Sequence, residues 1–250
     1  MTTTPQDKIR LDRLLVERGL ADTRQKAQAM ILAGQVLVNE QKVEKCGALA
    51  RAGANLRLLG EPLKYVSRGG IKLEGALTHF RVAPEAKICL DIGASTGGFT
   101  DCLLQRGAAR VFAVDVGTSQ LDWKLRRDPR VVVLDKTNAR YLKFAKLGAH
   151  VELATMDVSF ISATLILPVL PPLLEARAEL LVLVKPQFEV GKEQVGKGGI
   201  VRDPALRQQA VAKVSRKLLE TGFSGLAQVE SVLPGAEGNI EYFLHAVWRK

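Results

Sequence analysis

A glycine-rich loop between residues 91 and 98 carries the clearest chemical signal in the sequence. It reads DIGASTGG, follows an apolar run, and begins with Asp91 two residues before Gly93. Glycines let the backbone approach a ligand closely, and a helix that starts beyond them offers unpaired N–H groups. The loop is therefore predicted to hold a polar ligand.

Two classes of cofactor bind to loops of this kind: dinucleotides and S-adenosylmethionine. A dinucleotide loop follows G-x-G-x-x-G, but Ser95 stands where that pattern needs its second glycine. An acid ahead of the first glycine, here Asp91, is typical of S-adenosylmethionine enzymes. A second acid, Asp115, lies near the end of the run VFAVDV and could accept hydrogen bonds from the ribose hydroxyls of either cofactor. The loop residues favour S-adenosylmethionine, and a dinucleotide or a purely structural loop stays open.

Alternating helices and strands are predicted to position this loop. The predicted strands are 87–92, 110–116, 131–134, 152–156, 179–184, 227–233 and 241–248, and the predicted helices are 71–80, 97–105, 138–147, 161–174 and 204–221. Such alternation predicts a doubly wound, Rossmann-like α/β domain with a seven-stranded sheet over residues 67–250.

Residues 1–59 form a smaller, basic α+β unit by the same reasoning. Apolar spacing predicts a helix from Ile9 to Gly19 and a second helix that starts after Asp22 or Thr23. Two short strands around a turn at 39–40 follow, with further strands between 45 and 59. Residues 60–66 are predicted to be a linker, since a proline at 62 disfavours helices and long strands.

Composition limits the kinds of partner and compartment. The net charge of +10 and a pI of about 9.7 favour a polyanion. Three cysteines without a C-x-x-C pair indicate a reducing, cytoplasmic location, and the three histidines lack metal-ligand spacing, so no metal is expected. Neither a membrane span nor a secretory signal is apparent, so no membrane partner is expected.

The segment RLDRLLVERGLADTRQKAQAMILAGQVLVN resembles the S4 RNA-binding domain. The resemblance implies two short helices and a small sheet that dock on structured RNA. By that resemblance the predicted RNA contacts are Arg10, Arg13, Arg24, Gln25 and Lys26, and Arg68 in the later segment SRGG is added to them.

Five further motifs resemble the TlyA-type family, also called haemolysin A: KYVSRGGIKLEGAL, LDIGASTGGFTDCLLQRGA, VDVGTSQL, MDVSFIS and LVKPQFEVG. That family joins an S4 domain to an FtsJ-like S-adenosylmethionine methyltransferase. It implies methylation of a ribose 2′-hydroxyl in ribosomal RNA, ribosomal RNA or a ribosomal subunit as the partner, and a monomer or weak dimer.

The resemblance also assigns site residues. The implied catalytic residues are Lys72, Asp157, Lys185 and Glu241. The predicted cofactor residues are Asp91, Gly93, Ala94, Ser95, Gly97, Gly98, Phe99, Thr100, Asp115, Val116, Asp135, Asn138 and Asp157. A ribose hydroxyl must lose its proton as it attacks a methyl group in line. The hypothesis is that Lys185 accepts this proton or stabilises the alkoxide, while Asp157 orients Lys185.

Three other functions fit the sequence less well. A pore-forming haemolysin is disfavoured because no amphipathic cationic helix is evident. A non-catalytic ribosome assembly factor would not need the intact tetrad. Base methylation commonly uses an N-P-P-[YF] motif, and the matching position here reads DVSF.

Overall fold

The computed structural model describes residues 8–45, 47–59, 64–235 and 238–250. The chain separates into two compact units, residues 1–62 and 63–250. Most of the predicted linker, residues 60–63, lies outside the described residues, so the linker boundaries stay a prediction.

The described residues of the N-terminal unit form two helices and five short strands. These are β1 (Lys8–Arg10), α1 (Leu11–Glu17), α2 (Arg24–Leu32), β2 (Val36–Val38), β3 (Gln41–Val43), β4 (Leu49–Arg51) and β5 (Leu56–Leu58). Strand β1 pairs with β4, and β2 lies between β3 and β5. The predicted helix start at Ile9 is wrong, because Ile9 lies in β1 opposite Ala50.

Local chemistry explains the boundaries of these elements. The Thr23 side chain accepts a hydrogen bond from the backbone N–H of Lys26 and so caps α2. Asn39 and Glu40 both adopt positive φ in the turn that joins β2 to β3. The apolar side chains Leu11, Leu15 and Ile31 are fully buried and form the centre of this unit's core.

The C-terminal unit alternates strands and helices. Its elements are α3 (Gly69–Phe80), β6 (Ile88–Ile92), α4 (Gly98–Gln105), β7 (Arg110–Val114), α5 (Trp123–Arg126), β8 (Val131–Leu134), α6 (Phe144–Leu147), β9 (Val151–Met156), β10 (Leu174–Val184), α7 (Pro204–Glu220), β11 (Ser224–Glu230) and β12 (Tyr242–Arg249).

One seven-stranded sheet runs through this unit in the order β11-β12-β10-β9-β6-β7-β8. The five strands from β10 to β8 are parallel, and β12 is antiparallel to both of its neighbours. The predicted doubly wound sheet of seven strands is confirmed. Apolar clusters cover both of its faces, which explains why β6, β9 and residues 180–184 of β10 are mostly apolar.

Three predicted elements need correction. Residues 138–147 do not form one helix: a 3₁₀ turn at 139–141 is separated from α6 by extended residues 142 and 143. Residues 161–174 form three 3₁₀ turns, because prolines at 168, 171 and 172 lack the N–H groups that an α-helix needs. Strand β10 begins at Leu174, five residues before the prediction, and helix α5 was not predicted.

Candidate active site

The loops after β6 and β9 meet at the carboxyl edge of the sheet. These strands are neighbours, but the chain continues from β6 towards β7 on one side, while β9 leads to β10 on the other. Open α/β sheets bind ligands at such a reversal of strand order. A cavity of about 340 Å³ lies there, lined by Ile92, Gly93, Ser95, Val114, Asp115, Val116, Gln120, Thr137, Asn138, Ala139, Asp157, Val158, Ser159, Phe160, Ile161 and Ile166.

The glycine loop forms one wall of this cavity. Gly93 has a φ of +85°, and a side chain there would collide with the carbonyl oxygen of Asp157. Ser95 donates its backbone N–H to Asp115 Oδ2 at 2.8 Å, and Gly117 donates to Oδ1 of the same carboxylate at 2.7 Å. Asp115 therefore fixes the glycine loop against the end of β7.

Asp91 supports the loop from beneath. Its side chain is completely buried and accepts hydrogen bonds from Thr100 Oγ1 at 2.7 Å and Thr155 Oγ1 at 3.2 Å. Burial raises the pKa of Asp91 to about 7, although the hydroxyl donors oppose the rise. The carboxyl thus joins β6 to the first turn of α4 and to β9.

Two lysine–carboxylate pairs lie at the same edge. The Lys185 ammonium lies 2.6 Å from Asp157 Oδ1, and it also donates to Ser159 Oγ at 2.9 Å. The Lys72 ammonium donates to Glu241 Oε2 at 2.6 Å, and this second pair is nearly buried. The four residues of the predicted tetrad are thus joined as two ion pairs.

Strand register explains how residues so far apart in sequence approach each other. Val184 pairs with Tyr242 across β10 and β12, so Lys185 and Glu241 occupy the next positions on adjacent strands. Val182 pairs with Met156, which places Asp157 at the end of the strand on the other side. Lys72, which lies on α3, reaches this edge through its bond to Glu241.

Comparison with known proteins identifies the family of the chain. A family model of FtsJ-like methyltransferases matches residues 65–248, and a model of the S4 domain matches residues 9–54. The chain belongs to the FtsJ-like methyltransferase family. Its N-terminal unit is an S4 domain.

Relatives extend over almost the whole of this FtsJ-like methyltransferase. TlyA of Mycobacterium tuberculosis, named a 16S/23S rRNA (cytidine-2′-O)-methyltransferase, is 48% identical over 238 residues, which cover 95% of this chain and 89% of TlyA. Hemolysin A of Brachyspira hyodysenteriae is 43% identical over 96% of this chain and 100% of its own. A solved Streptococcus thermophilus structure, named as a hemolysin, is 44% identical, with a TM-score of 0.77. The match covers 98% of this chain and 90% of the Streptococcus thermophilus chain.

Only some of the predicted cofactor residues line the cavity. Of the predicted cofactor residues, Gly93, Ser95, Asp115, Val116, Asn138 and Asp157 line the cavity, whereas Asp91, Ala94, Gly97, Gly98, Phe99, Thr100 and Asp135 do not. Asp135 instead pairs with Arg126 at 2.9 Å, which lowers the pKa of Asp135. Phe99 is buried and stacks on Phe243.

Sequence reasoning missed several cavity residues that follow β9. Ser159 contacts the Lys185 ammonium, and the Phe160 ring is 91% exposed at the cavity wall beside the Phe188 ring. Phe160 has a φ of 64°, which is unusual for a bulky residue. The motif MDVSFIS contained both residues, but only the fold places them beside Lys185.

Glu189 joins the segments that carry these groups. Its buried carboxylate accepts from Ser162 Oγ at 2.5 Å and from the backbone N–H of Ala163 at 2.7 Å, and it pairs with Lys213 at 3.1 Å. The turn after β9 is thereby attached to the turn after β10, which begins at Lys185. Sequence alone gave no signal for this role, because Glu189 stands among glycine and apolar residues.

The predicted RNA contacts of the S4 domain are exposed, and its cations are paired within the domain. Arg10 and Arg24 both contact the fully buried Asp12, at 2.9 and 3.1 Å. Arg13 pairs with Glu17, and Lys26 pairs with Asp22. In the C-terminal unit, Arg68 is exposed at the start of α3.

No described helix is both long and apolar enough to cross a membrane. Within the same residues, no group of three or more His, Cys, Asp or Glu side chains is arranged to hold a metal ion.

Proposed function

We propose that this chain methylates a ribose 2′-hydroxyl of ribosomal RNA with S-adenosylmethionine as the methyl donor. The observation that carries the proposal is the Lys185 ammonium held 2.6 Å from Asp157, which itself lines the cavity. The activity named for TlyA of M. tuberculosis supports the same choice of substrate. The S4 domain would hold the RNA.

The cavity suits the proposed cofactor in size and chemistry. Its volume of about 340 Å³ lies in the range of small-molecule sites. Asp115 offers carboxylate oxygens to ribose hydroxyls, and Ile92, Val114 and Ile166 add apolar surface. When bound, S-adenosylmethionine supplies an electrophilic methyl group. Gly93, Ser95 and Asn138 would complete its contacts.

The tetrad would then position and activate the RNA hydroxyl. Asp157 and Ser159 hold Nζ of Lys185 in one place, so a 2′-oxygen that faces it is also fixed. Lys185 either takes up the hydroxyl proton or, as an ammonium, stabilises the charge that develops on the oxygen while the proton passes to water. Glu241 and Lys72 support this arrangement from the adjacent strand end.

Phe160 supports a nucleic acid substrate at this cavity. An exposed aromatic ring costs free energy in water unless a partner covers it, and unpaired bases stack on such rings. The Phe160 ring adjoins the cavity and the Phe188 ring, so the base of the target nucleotide could stack there while its ribose faces Lys185.

The first test is Lys185→Ala, assayed with ribosomal RNA from cells that lack a methyltransferase of this family. Methyl transfer should fall by about 10²–10⁴-fold, because a proton-transfer or charge-stabilising group is lost. Binding of S-adenosylhomocysteine, measured by calorimetry, should change little. Lys217→Ala, which removes a lysine at the end of α7, is the matched control and should keep full activity.

Mass spectrometry of the digested RNA identifies the product. The proposal expects a 2′-O-methylnucleoside that is absent after reaction with the Lys185→Ala variant. A methylated base, or an undiminished 2′-O-methyl yield from the variant, would contradict it. The pH dependence of the rate separates the two roles of Lys185. A base must be neutral before it accepts a proton, so the rate would rise with pH, whereas a stabilising ammonium would make the rate fall as it is deprotonated.

A further inference from the structure

The C-terminal unit concentrates positive charge between residues 122 and 146. This segment has eight Lys or Arg residues and three Asp residues, so its net charge is +5. The whole chain of 250 residues has a net charge of +10. Three of the eight cations are neutralised: Arg126 by Asp135, Arg130 by Asp128, and Lys124 by Asp101. Most of the segment's remaining charge is free to act on a partner.

The other five cations have no carboxylate within ion-pair distance among the described residues. They are Arg127, Lys136, Arg140, Lys143 and Lys146, and all of them are exposed. This differs from the S4 domain, where all four predicted RNA-binding cations have acidic partners. Unpaired cations can neutralise phosphates without first breaking an internal ion pair.

Two exposed aromatic rings lie among these cations. The Arg127 guanidinium lies 4.4 Å from the centre of the Trp123 ring, and the Arg140 guanidinium lies 5.3 Å from the centre of the Tyr141 ring. The side chains are 50% and 69% exposed for Trp123 and Tyr141 respectively. Cations combined with exposed rings are the surface chemistry that single-stranded nucleic acid favours, because the rings stack on bases.

An ion pair just beyond the end of β8 places part of this segment beside the cavity. The bond from Arg126 to Asp135 ties α5 to the end of β8, so Arg127 and Lys136 each adjoin that ion pair in sequence. Lys136 and Arg140 then flank residues 137–139, which line the cavity. Asn138 caps the turn by accepting from the backbone N–H of Arg140 at 3.1 Å.

We infer that Trp123, Arg127, Lys136, Arg140, Tyr141 and Lys143 form a second RNA-binding surface, here called the β8-end surface. It would hold an unpaired strand of the substrate RNA beside the cavity, with the cations on phosphates and the rings on bases. The inference rests on the proposed function for the choice of RNA, but it concerns binding and can be tested without methyl transfer.

The test measures affinity of the full chain for purified 16S and 23S ribosomal RNA at several KCl concentrations, without a methyl donor. The variant R127Q/K136Q/R140Q/K143Q should weaken binding by at least tenfold at 150 mM KCl. The slope of log affinity against log salt should fall by about 3, because each phosphate contact contributes about 0.7–0.9. The variant W123A/Y141A should weaken binding by about tenfold with an unchanged slope.

The matched control is R177Q/R249Q. These two exposed arginines lie opposite each other on β10 and β12, at the end of the sheet away from the cavity, and no described acid pairs with them. If affinity depends only on net charge, this control will lower the slope in proportion to its two charges. That result would overturn the β8-end surface, as would an unchanged slope in the four-residue variant.

Binding of S-adenosylhomocysteine separates this inference from the proposed function. The four-residue variant should keep that affinity, and its loss would mean that the cations serve the cofactor and not the RNA. An aromatic variant that binds as tightly as the unmodified chain would overturn base stacking on this surface. Failure of methyl transfer by the unmodified chain would count against the proposed function alone, because RNA affinity is read separately.

Discussion

Among the described residues two aspartates are completely buried, one in each unit, and their surroundings differ sharply. Asp12 in the S4 domain accepts hydrogen bonds from two guanidinium groups, Arg10 and Arg24, and from Gln28. Asp91 in the methyltransferase unit accepts from two threonine hydroxyls. The Arg10 guanidinium holds the pKa of Asp12 well below its usual range, whereas burial raises the pKa of Asp91 to about 7.

The comparison teaches that burial alone does not decide whether a carboxyl is ionised. A charged partner compensates the carboxylate for lost water, but a hydroxyl compensates it only in part. Asp12 is therefore an ionised centre that orients two predicted RNA-binding arginines. Asp91 is a carboxyl whose charge costs free energy, located beneath the loop that is proposed to hold a cationic cofactor.

The largest expected effect is on the pH dependence of stability, through Asp91→Asn. Above pH 4 the unfolded chain ionises Asp91, while the folded chain keeps it protonated up to about pH 7. Its contribution to the free energy of unfolding therefore decreases as pH rises from 4 to 7. The increase in the pKa of Asp91 from 3.8 to about 7 corresponds to a loss of about 4 kcal/mol. The Asp91→Asn variant has no such loss, so it should be more stable than the unmodified chain at pH 8.

Urea unfolding at pH 4.5, 6 and 8 measures this difference. Both tryptophans, Trp123 and Trp248, lie in the C-terminal unit, so their fluorescence reports on that unit. Asp128→Asn is the control: Arg130 lowers the pKa of Asp128, so its loss should slightly destabilise the unit at pH 8. A gap between Asp91→Asn and the unmodified chain that stays constant with pH would refute the assigned ionisation of Asp91.

The second expected effect is a loss of S4-domain stability in Asp12→Asn. The same chemical change removes the acceptor charge for two guanidinium groups, and hydrogen bonds to charged groups contribute about 2 kcal/mol. Hydrogen exchange of the α1 and α2 amides, followed by mass spectrometry of the full chain, should accelerate accordingly. Asp22→Asn breaks the exposed pair with Lys26 and should cost less than about 0.5 kcal/mol.

A stabilising Asp91→Asn and a destabilising Asp12→Asn would support the difference between the two buried aspartates. Changes in stability of the same sign would contradict it. If Asp12→Asn were as stable as the unmodified chain, the guanidinium partners would contribute nothing to the S4 fold. The arginines would then be oriented by other contacts.

The smallest expected effect is kinetic and comes from Glu189→Gln. Glu189 is another buried acid, with a mixed set of partners: one ammonium, one hydroxyl and one backbone N–H. Without its charge, the turn that carries Ser159 and Phe160 should be held less firmly relative to Lys185. The kcat for methyl transfer should fall by about tenfold, or about 1.4 kcal/mol, while affinity for S-adenosylhomocysteine stays within about twofold.

The control for Glu189 is Glu220→Gln, which removes an exposed partner of Lys217 and should leave kcat unchanged. A positioning role predicts a change in kcat without a matching change in KM or melting temperature. An equal loss in all three quantities would show that Glu189 only stabilises the fold.

Much of the fold could be predicted from the sequence because its signals are local. All seven strands of the large sheet were predicted, and a cap expected at Asp22 or Thr23 marked the start of α2. The errors occurred where local signals were ambiguous, as in residues 161–174, where an apolar run suited a helix but three prolines divided it into 3₁₀ turns. The start of β10 was missed because residues 175–177 are polar or small.

The site could be predicted only in part. The glycine loop and Asp115 were found from residue types and spacing, and Gly93, Ser95 and Asp115 line the cavity. Lys72 and Glu241 were identified by resemblance, since they are 169 residues apart in sequence. Gln120, Thr137 and Phe160 were missed, because nothing in their neighbourhood distinguishes a cavity wall from an ordinary loop.

The sequence by itself determined the two domain types, the glycine loop, the excess of positive charge and the order of helices and strands. Tertiary structure alone decided which charges are paired, which acid is buried among hydroxyls and which among guanidinium groups, and where unpaired cations meet exposed rings. The physical reason is that electrostatic free energies depend on distance and solvent exposure, and both are set by contacts between residues far apart in the chain.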